Sequence, residues 1–584
     1  MRPDYNDFIK AMFAGDVDAR NEYMNRVPLQ TFSYFETGDR ASGAEPERLY
    51  HGFSVIKRGS EKMGMTAIHR VKDSSEKTVG FIIDGTFYTE YYIKNNIQFV
   101  DNLTLTKNGV IRAKKELSEV DYKSFVNKRE YNKIVKNNPY VRDIQNDLIK
   151  WKNDSSHKVL QLEGSRQIGK TTELRKFAYK NYEYVIMVDL TSDIYNFIDV
   201  INNGCSPIEF EKYCRRASLP HFVDNNSTIL IIDEIQSNST VYNSIRKLYD
   251  TVKCDIIVTG SYLGRILGEK TFFHPAGTIS YAHMFTLSFA EFCRIFKCEK
   301  MLKTIDLYGG SDEIKYAKLE ELYNIYLKIG GYPEVIKKFV ETKDINECYS
   351  ILNKLLETFK DESRAYFNEA REVEIFDNVY REALKQMCNR QDMSGKHILE
   401  TLTTLVKENT KLFVNKSEVA NAVTWLKYAG ILSTCNLAVN GDMRNISESR
   451  KAYFPDCGIA SYLAAKSMIK QSSLTGMITE TFVYNELHRL FKVPYTDLKV
   501  IEDEVCYSTY GKYELDFMLA DKNKTVYGIE VKTKDGEPTS LKVYIDKNLI
   551  NQGIVVKPTK GGHGDKFDTI PIYTVGCRFP YMKD

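Results

Sequence analysis

Residues Gly164-Ser165-Arg166-Gln167-Ile168-Gly169-Lys170-Thr171 read G-x-x-x-x-G-K-T. They follow an apolar run, Lys158-Val159-Leu160-Gln161-Leu162, and lead into a helix-like one, Thr172-Glu173-Leu174-Arg175-Lys176-Phe177-Ala178. Glycines at these positions let the backbone curl so that its N–H groups point inward at phosphate oxygens, beside the positive end of the helix that follows. Gly164, Ser165, Arg166, Gln167, Ile168, Gly169 and Thr172 then surround a triphosphate, Lys170 reaches its β/γ oxygens, and the Thr171 hydroxyl ligates magnesium. The expected cofactors are ATP and Mg²⁺.

About sixty residues on, Thr228-Ile229-Leu230-Ile231-Ile232 runs into Asp233-Glu234-Ile235-Gln236. Such a run reads as a strand buried on both faces whose carboxyl end opens on a ligand crevice. There Asp233 holds the magnesium through water and Glu234 orients or deprotonates the attacking water. The next strand, Asp255-Ile256-Ile257-Val258-Thr259-Gly260-Ser261, brings Ser261 to where a γ-phosphate is sensed. With Tyr184-Val185-Ile186-Met187-Val188-Asp189-Leu190 between phosphate loop and acidic strand, the pattern predicts a doubly wound parallel sheet.

A chain of 584 residues exceeds one core, and three to five domains are expected. Its 81 basic and 78 acidic residues leave a net charge of +3, so any nucleic-acid contact rests on a local patch. No apolar run is long enough to span a membrane, and nothing at the start reads as a signal peptide. The 11 cysteines form no C-x-x-C pair, which points to reduced thiols and a cytoplasmic protein. Cys293 and Cys298, with His274 and His283 upstream, fit no zinc spacing.

The C-terminal part holds a second constellation. Residues 476–487 read as a helix carrying Glu480. Tyr513-Glu514-Leu515-Asp516-Phe517-Met518-Leu519 alternates as a strand, and after a turn so does Val526-Tyr527-Gly528-Ile529-Glu530-Val531-Lys532. Glu530 and Lys532 face one side of their strand, and Asp516 faces them across the hairpin. Two carboxylates and a lysine are the minimal set for metal-assisted phosphodiester hydrolysis, Asp516 and Glu530 holding Mg²⁺ or Mn²⁺ and Lys532 stabilising the transition state. A surface hairpin with an ordinary Glu–Lys pair, or a nuclease-like fold used only for binding, are the alternatives. Between the two constellations, residues 312–410 are helix-like. A helix follows near Asn415-Lys416-Ser417-Glu418, with Ser417 as its cap, then Gly430 and two short strands in a winged-helix pattern. Lys416 and Lys427 are that helix's cations, and it serves either as a DNA reader or as a spacer.

Gly-Ser-Arg-Gln-Ile-Gly-Lys-Thr-Thr, Ile-Ile-Asp-Glu-Ile-Gln and Val-Thr-Gly-Ser-Tyr-Leu resemble a group of bacterial and archaeal AAA+ P-loop ATPases. Leu287-Ser288-Phe289-Ala290-Glu291-Phe292 and Gly330-Gly331-Tyr332-Pro333-Glu334-Val335 match its landmarks in order, so the resemblance spans residues 135–584. It implies a C-terminal domain like the PD-(D/E)XK nucleases, of poorly defined function, with Glu480 as the helix-borne acid. The Gly-Arg usual before the Leu-Ser-Phe run is replaced here around Pro275–Ile279, which implies slow turnover or another arginine, Arg265 or Arg246. AAA+ relatives often form rings, which implies a homo-oligomer.

The expected architecture is multidomain α/β. An N-terminal α+β accessory domain (1–125) is read as a degenerate nuclease fold with a structural His51. A P-loop AAA+ core (135–300), a helical lid (301–375), a winged-helix region (376–470) and a restriction-endonuclease-like α+β domain (471–584) follow. Residues 107–136 are read as a charged helical connector. The leading function is an ATPase whose nucleotide state acts through a nuclease-like domain on DNA. An ATP-dependent switch or scaffold that grips a partner without cutting, and a nuclease gated by ATP, are the other readings.

Overall fold

A computed structural model describes residues 119–579 apart from 157, 218, 220–221, 262–270, 274, 276, 365–368, 389–397, 411–413, 429, 467–470, 492–494, 497–504, 522 and 534–535, and before residue 119 only the strands. The chain divides into two compact units, Met1–Asn138 with Ala178–Tyr184, and Pro139–Phe177 with Val185–Asp584.

In the first unit, five strands form an antiparallel sheet in the order Gln30–Thr31, Thr86–Thr89, Thr78–Ile83, Met63–Lys72, Glu45–Val55. The strand expected within residues 81–88 is there as two paired antiparallel strands, Ile83 standing opposite Thr86, and the turn expected between them lies outside the described residues. The charged stretch 107–136 is only partly a helical connector: Ile111–Ala113 pairs with Leu103–Leu105, and the helix runs Glu119–Asn137. The role given to the His51 side chain lies outside the described residues.

The second unit is built on a parallel five-stranded sheet. Its strands are β1 (Val159–Glu163), β2 (Tyr184–Asp189), β3 (Thr228–Asp233), β4 (Asp255–Thr259) and β5 (Ile279–His283), in the order β5-β1-β4-β3-β2. Branched apolar residues bury both faces of β3 and β4, as a sheet with helices on each side requires. Helix α1 (Lys170–Asn181) follows the phosphate loop, and Ser288 caps α2 (Phe289–Ile295) in a reciprocal box with Glu291. A short strand from far downstream, Tyr495–Thr496, adds antiparallel to β5.

Helices α3 (Glu313–Ile329), α4 (Pro333–Thr342), α5 (Ile345–Arg364), α6 (Ala370–Cys388), α7 (Ile398–Thr410) and α8 (Lys416–Tyr428) make up the expected helical region. The cap of α8 is Asn415 and not Ser417: the Asn415 carboxamide accepts the Glu418 N–H at 2.9 Å while the Glu418 carboxylate accepts the Asn415 N–H at 2.9 Å. The box needs an acceptor three residues before Glu418, a place Asn415 holds.

A seven-stranded mixed sheet closes the chain: β6 (Ser433–Val439), β7 (Ile446–Tyr453), β8 (Cys506–Tyr510), β9 (Tyr513–Ala520), β10 (Val526–Val531), β11 (Gln552–Lys557) and β12 (Phe567–Pro571), in the order β7-β6-β8-β9-β10-β11-β12. The two strands expected as a wing, β6 and β7, are hydrogen-bonded into this sheet through β6 and β8. Buried Cys435, Leu437 and Ala438 along β6 add apolar surface to the larger core, where a free two-stranded ribbon would leave it exposed. Helices α9 (Cys457–Lys466), α10 (Gln471–Phe491) and α11 (Thr539–Asp546) complete this part.

Candidate nucleotide site and a second carboxylate–lysine site

The chain leaves β1 at Gly164 with φ +149°, and a Cβ there would lie 2.3 Å from the Met284 carbonyl oxygen just past β5. Only glycine fits that turn. Gln167 (φ 59°) adopts the left-handed conformation without being glycine, as does Glu234 (φ 50°) just past β3. Strain in two non-glycine residues marks this end of the sheet.

Lys170 begins α1 and is buried, its Nζ donating to the carbonyls of Gly164 at 2.8 Å and Ser165 at 2.9 Å. Burial pulls its pKa down to about 8, against the opposing pull of Glu234 and Asp233. The exposed Thr171 hydroxyl donates to the Asp233 carboxylate at 2.7 Å. Burial raises the Asp233 pKa, and the Thr171 hydroxyl and Glu234 N–H work the other way. A hydroxyl and a half-buried carboxylate meeting at one point are hard oxygen donors that fit magnesium.

Glu234 accepts a hydrogen bond from the Gln236 carboxamide and stands 3.8 Å from the Arg166 guanidinium. Ser261 is buried one residue past Gly260, at the end of β4, which lies between β1 and β3. Thr172 is half-buried in the first turn of α1. The structure thus gathers residues 164–172, Asp233, Glu234 and Ser261 at one end of the sheet. Arg246 is exposed on the helix Ile245–Thr251, and Arg265 lies outside the described residues.

Sequence reasoning missed Arg142. It is buried and donates to Glu291 of α2 at 3.1 Å, to the Phe285 carbonyl at 2.6 Å, and to the Ile168 carbonyl of the phosphate loop at 3.0 Å. Glu291 also accepts the N–H groups of Asp143 and Ser288. Burial works against its ionised form, yet Arg142 and those N–H groups hold its pKa below the ordinary glutamate value. A lone arginine upstream of a motif carries no spacing signal, so only the fold reveals it.

In the C-terminal sheet, the register pairs Phe517 with Ile529, which sets Asp516 opposite Glu530. Asp516 accepts the Val531 N–H at 2.7 Å; Glu530 accepts the Leu541 N–H at 3.0 Å and pairs with Lys532 at 2.7 Å. Burial and the nearby Glu480 carboxylate push the Asp516 pKa up to about 7, with Lys451 opposing. That lysine, on β7, was not foreseen. It pairs with Glu514 at 2.5 Å, and Tyr453, Glu480, Glu514 and Asp516 lift its pKa above the ordinary lysine value despite burial. Among the described residues no group of three or more His, Cys, Asp or Glu side chains is placed to hold a metal ion, at this site or near Cys293 and Cys298. As they stand, Asp516 holds a backbone N–H, and Glu530 holds a backbone N–H and Lys532.

With this geometry in hand, residues 156–293 match the family of the AAA domain. This part of the chain is similar to an AAA domain and carries the phosphate loop described above. Residues 320–472 match a domain of unknown function, DUF8612, and residues 475–575 another, DUF4143. Solved structures similar to the chain include the Thermotoga maritima RuvB Holliday junction branch migration motor, at 14% identity and TM-score 0.24 over 50% of this chain and 88% of that one. C. elegans PCH-2 is similar at 12% identity and TM-score 0.22, over 38% of this chain and 69% of that one. No curated protein matches the chain. No helix among the described residues is long and apolar enough to cross a membrane.

Proposed function

We propose that the chain binds ATP with Mg²⁺, hydrolyses it, and uses its nucleotide state to act on the C-terminal domain. The observation that carries this reading is the 2.7 Å hydrogen bond between Thr171 and Asp233, which brings two motifs 62 residues apart to one point. Lys170 and the N–H groups of the loop hold the β/γ oxygens. Thr171 and Asp233 hold the magnesium, which neutralises charge on those oxygens. Glu234, oriented by Gln236, accepts a proton from the attacking water as its oxygen bonds to the γ-phosphorus and the bond to the β–γ bridging oxygen breaks, releasing ADP and phosphate. ATP turnover by the full chain tests this. Lys170→Ala is expected to lose both binding and turnover, and undiminished hydrolysis by that variant would refute the assignment.

For the C-terminal domain we read a nuclease-like site acting on DNA. It is supported by Asp516 opposite Glu530 and by the Glu530–Lys532 pair, with Glu480 on the adjacent helix. Lys451 favours a second reading, in which a lysine takes the cation's place and the domain grips a partner without cutting. Supercoiled plasmid with Mg²⁺ or Mn²⁺ separates them: cutting lost in Asp516→Ala supports the first, and no cutting with retained DNA binding supports the second. A homo-oligomer and the cytoplasm complete the proposal, the latter supported by ten cysteines that stand as thiols outside any disulfide.

A further inference from the structure

The phosphate loop touches the segment of unknown function at two points. Arg166 pairs through Nε with Glu362 near the end of α5 at 2.7 Å. Gly430, just past α8, lies so close to Ser165 that a Cβ there would sit 1.9 Å from the Ser165 hydroxyl oxygen, and its φ of +69° already excludes most other residues. Both Glu362 and Gly430 fall within residues 320–472. That segment is therefore seated on the loop within a single chain.

Arg166 stands between two carboxylates. Its Nε holds Glu362, while its Nη1 is 3.8 Å from Glu234, the acid that the proposed reaction puts beside the attacking water. The guanidinium is thus already at the edge of the place a γ-phosphate would take, and its side chain is 34% exposed, open to an incoming ligand. A partly exposed pair with one carboxylate is a weak interaction. A terminal phosphate carries more charge and accepts a guanidinium in a two-pronged fashion, so it outcompetes one carboxylate for the same fork.

We propose that Arg166 is the cation this site supplies to the γ-phosphate, and that Glu362 holds it until a triphosphate arrives. Seating ATP transfers Arg166 from Glu362 to the γ-phosphate and frees the end of α5; ADP, lacking that group, leaves the pair closed. By linkage, whatever holds Glu362 on Arg166 weakens ATP by the same factor. The helical segment thereby distinguishes ATP from ADP within one chain. This rests on the reading of residues 164–171 as a triphosphate site.

The test measures affinities of the full chain for a non-hydrolysable ATP analogue and for ADP. Glu362→Gln, which keeps shape and removes charge, is expected to tighten the ATP analogue roughly five-fold or more while leaving ADP unchanged. Arg166→Ala is expected to weaken the analogue more than ADP, with Arg166→Lys intermediate, since a lysine keeps the charge and loses the fork. In the Arg166→Ala background, Glu362→Gln should have no effect. Equal shifts for both nucleotides, or an effect of Glu362→Gln that persists without Arg166, would overturn the proposal while leaving the nucleotide site intact. Nucleotide binding undiminished by Lys170→Ala would overturn both together.

Discussion

Glu234 and Lys170 sit within one charge cluster yet do separable work. Lys170 meets the nucleotide in its ground state; Glu234 acts on the water. Glu234→Gln keeps the size and the contact to Gln236 but cannot take a proton. It should therefore bind ATP as the natural chain does and lower single-turnover hydrolysis about 10²–10⁴-fold. Loss of binding in that variant would assign Glu234 to structure. The other informative residue is Asp516, with a carboxyl pKa near 7 from burial and Glu480. A raised carboxyl pKa means the folded chain binds a proton more tightly than the unfolded one between about 4 and that value. Asp516 therefore lowers stability progressively as pH rises through this window, and above it the penalty is constant. Asp516→Asn should flatten that part of the stability–pH curve. Lys451→Met should move the Asp516 midpoint upward, read by carboxyl-carbon NMR; an unmoved midpoint would show that Lys451 does not face it.

Element by element, what the sequence disclosed depended on whether the signal was local. The strands of the ATPase sheet are continuous apolar runs ending in polar residues, and β1, β3 and β4 stand within a residue or two of their expected limits. The hairpin β9–β10 was equally legible, because alternation and a turn lie within twenty residues. The membership of β6 and β7 in the same sheet was not, since the strand that joins β6 to it, β8, begins some seventy residues after β6 and no local pattern encodes that pairing. Nor was Arg142, whose three acceptors come from β1–α1, from the residues before α2, and from α2 itself. Its importance is testable at this scale. Arg142→Met leaves Glu291 buried without its cation, which should destabilise the unit by about 3–5 kcal/mol at neutral pH. The deficit should shrink as pH falls, because an orphaned Glu291 takes up a proton that the natural chain refuses. Denaturant titrations at two pH values check both the size and the sign.

At the scale of the second unit, the ATPase sheet and the C-terminal sheet are joined by buried polar contacts. Arg489 of α10 donates to the Thr286 hydroxyl at 2.7 Å and to Glu486, whose carboxylate accepts the Phe289 N–H at the start of α2. Asp456, just before α9, accepts the Gly331 N–H at 2.8 Å, and Gly331 in turn accepts the Leu287 N–H. Around these bonds Phe289, Tyr323, Tyr326 and Phe482 pack edge-on, at centroid separations of 4.9–6.2 Å. The landmarks Leu287–Phe292 and Gly330–Val335, read in sequence as ATPase features, are thus the surfaces on which the C-terminal helices rest. Buried charge networks are costly when broken and specify one arrangement when whole, so the two sheets should unfold together. In calorimetry, residues 139–579 should melt in one transition that a non-hydrolysable ATP analogue raises as a whole. Arg489→Met should lower that transition and weaken nucleotide binding, although it lies on a helix that begins some three hundred residues beyond the phosphate loop. Two separate transitions, with only one moved by nucleotide, would mean that the C-terminal sheet rides on the ATPase without reading it, and the coupling that the proposed function requires would fail.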